Sequence, residues 1–221
     1  MTVLTPFSMR NAVALALAAA ASALAFTASA SARPATGCSL CGKNLIKNPG
    51  AEAGRGQTAP GETGNVPHWT NVAGQFGAAS YTGFGSAWFS AASAGPKDKG
   101  KNYFFGGTTP AAISAKATIG QQVIALPAAA AHHKATLSGW LGNYGTDRAS
   151  VRAQFADATG KTLSSLRIGP DTTIGGENMA PRSRSGSVPA GAKTVTIVVT
   201  FTEHDAGYNY AGADDLSLVL S

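Results

Sequence analysis

Through much of the second half of the chain, apolar and polar residues take turns. Val195, Ile197, Val199 and Phe201 fall on one parity, with Thr194, Thr196 and Thr200 on the other. Val151, Ala153 and Phe155 alternate in the same way with Ser150, Arg152 and Gln154, and Leu216, Leu218 and Leu220 share a parity with Asp214. A period of two marks a strand with one buried face, because successive side chains of a strand point to opposite sides. The pattern predicts strands over 102–105, 117–124, 135–144, 150–156, 162–168, 182–188, 194–203 and 213–220, separated by turn signals such as Asp157-Ala158-Thr159-Gly160 and Pro189-Ala190-Gly191. Earlier, 44–47 reads as a first strand stopped by Asn48-Pro49-Gly50, 66–72 as another through Trp69, and 74–100 as short strands ending in a loop at Gly95-Pro96-Lys97-Asp98. Only 127–133 offers a helical alternative. Many short strands at this spacing predict an all-β fold: a two-sheet antiparallel β-sandwich of the jelly-roll type, one domain over residues 44–221.

The first 32 residues follow a different pattern. Arg10 is the one charge before a run from Ala12 to Phe26 that is almost wholly Ala, Leu and Val, followed by Ala28-Ser29-Ala30 and Ala30-Ser31-Ala32. That is the layout of a secretory signal peptide over residues 1–32, cleaved near Ala30 or Ala32. The alternative is an uncleaved anchor, but the apolar run is shorter than the roughly 20 residues a membrane helix needs. No later segment is apolar enough to span a bilayer. The expectation is a secreted, extracellular protein without a membrane span in its mature form, with residues 33–43 as a tether.

Composition adds three points. The chain has 27 glycines and only 13% charged residues, which suits a turn-rich β fold. Its net charge of +6 is spread without a Lys/Arg run, which argues against nucleic acid as a partner. Its two cysteines, Cys38 and Cys41, stand in Cys-Ser-Leu-Cys. In an exported chain they read as a local disulfide. Free thiols and a redox pair are the alternatives, while a zinc site would need ligands that no second cysteine pair supplies.

No P-loop, Rossmann glycine pattern, HExxH or Gly-x-Ser-x-Gly is present, and the expectation is that the chain is not an enzyme. His132-His133 reads as an exposed turn, or as a metal or acid/base pair. Glu203-His204-Asp205 reads as a strand-end loop or a catalytic cluster, and His68 as structural. Over 135–144, Leu137 and Leu141 share one face, and Trp140 and Tyr144 the other. With the leucines turned inward, Trp140 and Tyr144 face out, as do Arg152 and Gln154 on a strand taken to be a neighbour. An exposed indole beside guanidinium and amide groups suits a sugar ring, which stacks its apolar face and bonds through its hydroxyls. The alternative is that the long loops cover Trp140.

Two segments stand apart from this pattern: Asn44-Leu45-Ile46-Lys47-Asn48-Pro49-Gly50-Ala51-Glu52 and Ala213-Asp214-Asp215-Leu216-Ser217-Leu218. They resemble the opening and closing motifs of galactose-binding-like jelly rolls, closest to carbohydrate-binding modules of families 4, 9 and 22. The resemblance spans nearly all of the chain after the signal, with Pro49 and Ala51 as departures. It implies first and last strands lying close together, a polysaccharide or other glycan as partner, and a structural calcium ion held by Glu52 and Asp214, with Asp215 as the alternate. Calcium takes about six to eight oxygens, and carboxylates with loop carbonyls supply them. An inward Asp214 needs a cation or hydrogen-bond donors; backbone amides or an arginine would also serve. The resulting expectation is a secreted, non-catalytic carbohydrate-binding-like module. The alternatives are a structural or adhesive protein that binds another protein, and a glycan hydrolase or lyase.

Overall fold

A computed structural model describes residues 37–221, apart from 84–87, 111–113, 115, 144, 171, 173–175 and 205–206. The signal segment, Tyr144 and Asp205 therefore lie outside the described residues. The strands are β1 (Thr70–Ala73), β2 (Gly77–Ser80), β3 (Asn102–Gly107), β4 (Ala117–Ala125), β5 (Lys134–Asn143), β6 (Arg148–Ala156), β7 (Thr162–Ile168), β8 (Asn178–Ser187), β9 (Thr194–Thr202) and β10 (Asn209–Leu220). They form two five-stranded antiparallel sheets: sheet A in the order β2-β3-β10-β5-β8, and sheet B in the order β1-β4-β9-β6-β7. Only β2–β3 and β6–β7 are sequence neighbours within one sheet. Every other connection crosses between sheets, as a jelly roll requires. Among the described residues, no helix is long and apolar enough to cross a membrane.

Alternation builds the core. Val195, Ile197, Val199 and Phe201 of β9 are all buried, and β6 sets Phe155, Ala153, Val151 and Ala149 directly beside them. Leu137 and Leu141 of β5, Phe104 of β3, and Leu216, Leu218 and Leu220 of β10 meet them from sheet A. An aromatic row bridges the layers: Trp69 to Phe104 at 5.0 Å, Phe104 to Phe76 at 5.6 Å, and Phe76 to Phe201 at 6.2 Å. Gly120 of β4 makes room for it, because a Cβ there would lie 2.4 Å from the Phe76 ring.

The predicted first strand is reduced to a single bridge, Asn44 to Val219. Its side chain does the tying: Asn44 Oδ1 accepts the amides of Ile46 and Leu218, and its Nδ2 donates to the Leu216 carbonyl. Asn48-Pro49 then turns the chain away. The described part of the predicted tether is folded onto the domain. Cys38, Leu40 and Cys41 pack against the core, and the Gly42 amide donates to Leu220. The disulfide Cys38–Cys41 is formed as expected. The helical alternative at 127–133 is one 3-10 turn, Ala128–Ala130.

Candidate functional site

Along β3, Phe104 enters the core, so Tyr103 and Phe105 turn to the outer face of sheet A. The residues after β2 fold back over that face. Tyr81, Trp88 and Phe89 join Ala79, Tyr103, Phe105 and Met179 in a second apolar cluster, with Tyr81–Tyr103 and Trp88–Phe105 both at 4.8 Å. Trp140 of β5 packs at the edge of this layer and stays half-buried. Both fates foreseen for its indole are thus partly realised, with one side covered and the remainder open. The open side lines a groove of about 260 Å³ with Ser138, Pro181, Arg182, Ser183 and Asp215.

Asp214 requires a correction. On β10, Ala211 and Ala213 face the core, and so do Leu216, Leu218 and Leu220, which are of the opposite parity. The pairing with β5 slips between Asp214 and Ser217, and Asp215 sits at φ 46°. This bulge inserts one residue and reverses the phase. Asp214 therefore does not share the leucines' face; it is buried beneath the aromatic cover. Its Oδ2 accepts the Tyr81 hydroxyl at 2.7 Å, and its Oδ1 accepts the Asp215 amide at 2.7 Å. Burial pushes its pKa up to about 8, with Asp215 and Glu52 adding to the rise, and the two hydrogen bonds oppose it. Burial and the neighbouring Asp214 push the Tyr81 hydroxyl far up as well, so it remains a donor.

Glu52 sits beside this pair. Its carboxylate accepts the amides of Lys101 at 2.9 and 3.0 Å and of Asn102 at 2.9 Å. A Cβ built on Gly50 would lie 3.2 Å from Asp214 Oδ1, 3.6 Å from Asp215 Oδ1 and 3.6 Å from Glu52 Cγ, so three acidic side chains surround one glycine. Partial burial raises the Asp215 carboxyl, with Asp98 and Glu52 contributing. Among the described residues the one ion pair, Arg55–Glu62, lies elsewhere. Asp214 thus has hydrogen-bond donors, as one sequence alternative required, but no arginine. The three carboxyls gather near Gly50 but do not form a compact set of metal ligands among the described residues, and those of Glu52 and Asp214 already accept backbone amides and the Tyr81 hydroxyl.

Arg152 and Gln154 do not join Trp140. They face outward from β6, which belongs to sheet B, while β5 belongs to sheet A. The expected four-residue site is therefore divided between opposite faces of the sandwich, and Tyr144 lies outside the described residues. Parity tells which side of its own sheet a residue takes, not which sheet holds it. Arg152 and Gln154 instead line a separate groove of about 280 Å³ with Ser150, Arg167, Thr200 and Thr202. Sequence reasoning missed Arg167, although a signal was present. On β7, Leu166 and Ile168 are apolar on either side of Arg167, and that alternation turns Arg167 to the outer face.

The other candidates resolve as local structure. His132 is exposed at a turn with φ 67°, and His133 lies with its Nδ1 3.4 Å from Cys41 Sγ. Cys38, Cys41 and His133 are the one compact group of possible metal ligands among the described residues, but the two sulfurs are bonded to each other. Glu203 is buried, whereas His204 is exposed and donates its amide to Asp147 Oδ1 at 2.8 Å. His68 is exposed, and its carbonyl accepts the side chain of Gln122.

No family model matches the chain, and no curated protein matches it. Solved structures do resemble it. A cyclase from Fischerella sp. TAU aligns over 80% of this chain and 95% of its own, with a TM-score of 0.52 and 14% identity. The enzymatically active domain of tailspike protein 4 of bacteriophage CBA120 aligns over 80% of this chain, with a TM-score of 0.51 and 16% identity. This chain spans about a fifth of that tailspike structure (21%). Carbohydrate-binding modules are also among the similar structures. A family 61 module solved with β-1,4-galactotriose aligns over 81% of this chain and 99% of its own, with a TM-score of 0.48 and 15% identity. At these identities the likeness of the cyclase and the tailspike domain concerns the fold alone.

Proposed function

We propose that this is an exported, non-catalytic carbohydrate-binding domain that holds a glycan in the Trp140 groove. The observation that carries this reading is the half-buried indole of Trp140, fixed on one side by the aromatic cover and open on the other beside Arg182, Ser138, Ser183 and Asp215. A rigid aromatic platform ringed by hydroxyl, guanidinium and carboxylate groups matches a sugar's apolar face and hydroxyl edge. The local disulfide agrees with an oxidising compartment. Calorimetry against neutral plant, fungal and bacterial polysaccharides tests the reading. Affinity in the micromolar to millimolar range, about −8 to −4 kcal/mol, is expected for one of them. Trp140→Ala should weaken it about tenfold or more while the variant stays folded, with a melting temperature lowered only by the loss of the packed half of the indole. Unchanged binding by a folded Trp140→Ala variant would move the site elsewhere.

One observation favours a second, enzymatic reading: Asp215 lines the groove next to a carboxyl raised to about 8. Hydrolysis by two carboxyls requires both to flank the scissile bond, and Asp214 is wholly buried behind Asp215. Release of reducing ends from any glycan bound in the calorimeter distinguishes the two readings.

Calcium is part of the proposal. Glu52 and Asp214, with Asp215 as the alternate, would hold the ion, and it would neutralise the carboxylates around Gly50. A ligand that binds only the native state raises stability with its concentration. Chelation should therefore lower the melting temperature, and Glu52→Ala should remove the calcium response. Identical melting curves with calcium and with chelator would end this part.

A further inference from the structure

The five strands of sheet B contain no aspartate and no glutamate. Their charged residues are Arg148, Arg152 and Arg167, and they contain no lysine. Arg152 and Arg167 stand directly opposite each other on β6 and β7. Both are exposed and face outward, because Val151, Ala153, Leu166 and Ile168 turn into the core. Side chains so placed leave the backbone about 5 Å apart, and like charges in that position destabilise a sheet. Nothing described offsets them. Arg152 has no bonded partner among the described residues, and Arg167 Nη2 reaches only the Ser150 hydroxyl at 3.4 Å. Among the described residues, the acids at the strand ends are buried or engaged. Asp147 accepts the amides of His204 and Tyr210, Asp157 accepts those of Thr159 and Lys161 in its own turn, and Glu203 is buried.

We infer that this groove is a second binding face and that its ligand is a carboxylate-bearing polysaccharide, a polyuronate. The planar fork of arginine pairs bidentately with a planar carboxylate, which a lysine cannot do. Two such forks stand side by side. Gln154, Ser150, Thr200 and Thr202 lie between and beside them in the same groove, as partners for ring hydroxyls. No aromatic side chain faces outward from sheet B, since Phe155 and Phe201 are buried. The face therefore has no platform for stacked bases, the main source of affinity for single-stranded nucleic acid. It is also on the opposite sheet from Trp140, so this inference does not rest on the Trp140 reading.

The test is binding of polygalacturonate at low salt, by affinity electrophoresis and calorimetry, with a neutral galactan, heparin and single-stranded DNA as comparators. The wild type and Trp140→Ala should both bind polygalacturonate. Arg152→Gln and Arg167→Gln should each weaken it by about tenfold or more, and added salt should weaken it further. Arg167→Glu should abolish binding yet melt no lower than the wild type, because it replaces a repelling pair with an attracting one. A purely structural role for these arginines predicts the reverse, a lowered melting temperature. Absence of polygalacturonate binding at low salt overturns the inference, and so does equal binding of heparin or DNA. Loss of polygalacturonate binding in Trp140→Ala with retention in Arg152→Gln also overturns it. If polygalacturonate binds and no neutral glycan does, the Trp140 reading falls and this one stands.

Discussion

Replacing Phe104 with alanine is expected to lower stability by about 3–5 kcal/mol. The Phe104 ring is wholly buried and is the middle link of the row that joins the two sheets, touching Trp69 edge-on and Phe76 face to face. The hole left by its removal has little means of closing. Phe76 is already held between Gly120 and Phe201, and the backbones on either side belong to paired strands. The lost burial and the retained cavity therefore add. Denaturant unfolding should show a lower midpoint with little change in slope. A loss below about 1 kcal/mol would mean that the sheets are held together mainly elsewhere.

The second large effect concerns Asp214. In the presence of chelator its folded pKa of about 8 lies above its ordinary 3.8, so between those values the folded protein keeps a proton that the unfolded chain has released. Its contribution to stability is then fully present below about pH 4 and is lost as the pH rises through about 8. Over that window the loss is at most about 1.4 kcal/mol per pH unit. Asp214→Asn keeps an acceptor for the Asp215 amide and removes the titration. The difference in unfolding free energy between wild type and Asp214→Asn should therefore decline from pH 4 to 8 and then level off. A difference that stays flat across this range would show that the carboxyl is not held protonated by its burial.

Much of the fold was legible because alternation survives wherever one face of a strand is buried. β7 was placed over 162–168 as observed, and β4, β5, β6 and β9 to within two residues at each end. The first strand was less legible, since its pairing is done by the Asn44 side chain rather than by a ladder. The site was less legible still, for two physical reasons. The pattern within β5 and β6 cannot reveal that the chain changes sheets between them, so Trp140 and Arg152 were placed together. A single inserted residue at Asp215 carries no hydrophobic signature, yet it moves Asp214 from one face to the other. The aromatic cover had a visible trace in the alternation of Tyr103, Phe104 and Phe105, which are all buried and so require apolar layers on both sides of sheet A.

The place of β10 sets the order in which the molecule can be completed during synthesis. All five strands of sheet B have been made once Thr202 has emerged from the ribosome. Sheet A at that moment is two separate pairs, β2–β3 and β5–β8, with two inner edges facing an empty lane. Only Asn209–Leu220 fills it, pairing with β3 on one side and β5 on the other and supplying Leu216, Leu218 and Leu220 to the core. Until then the nascent chain has unpaired edges and half a core, which favours an open, chaperone-accessible polypeptide over a prematurely closed one. Closure of sheet A is thus deferred until its central strand, the last of its five in chain order, has been made.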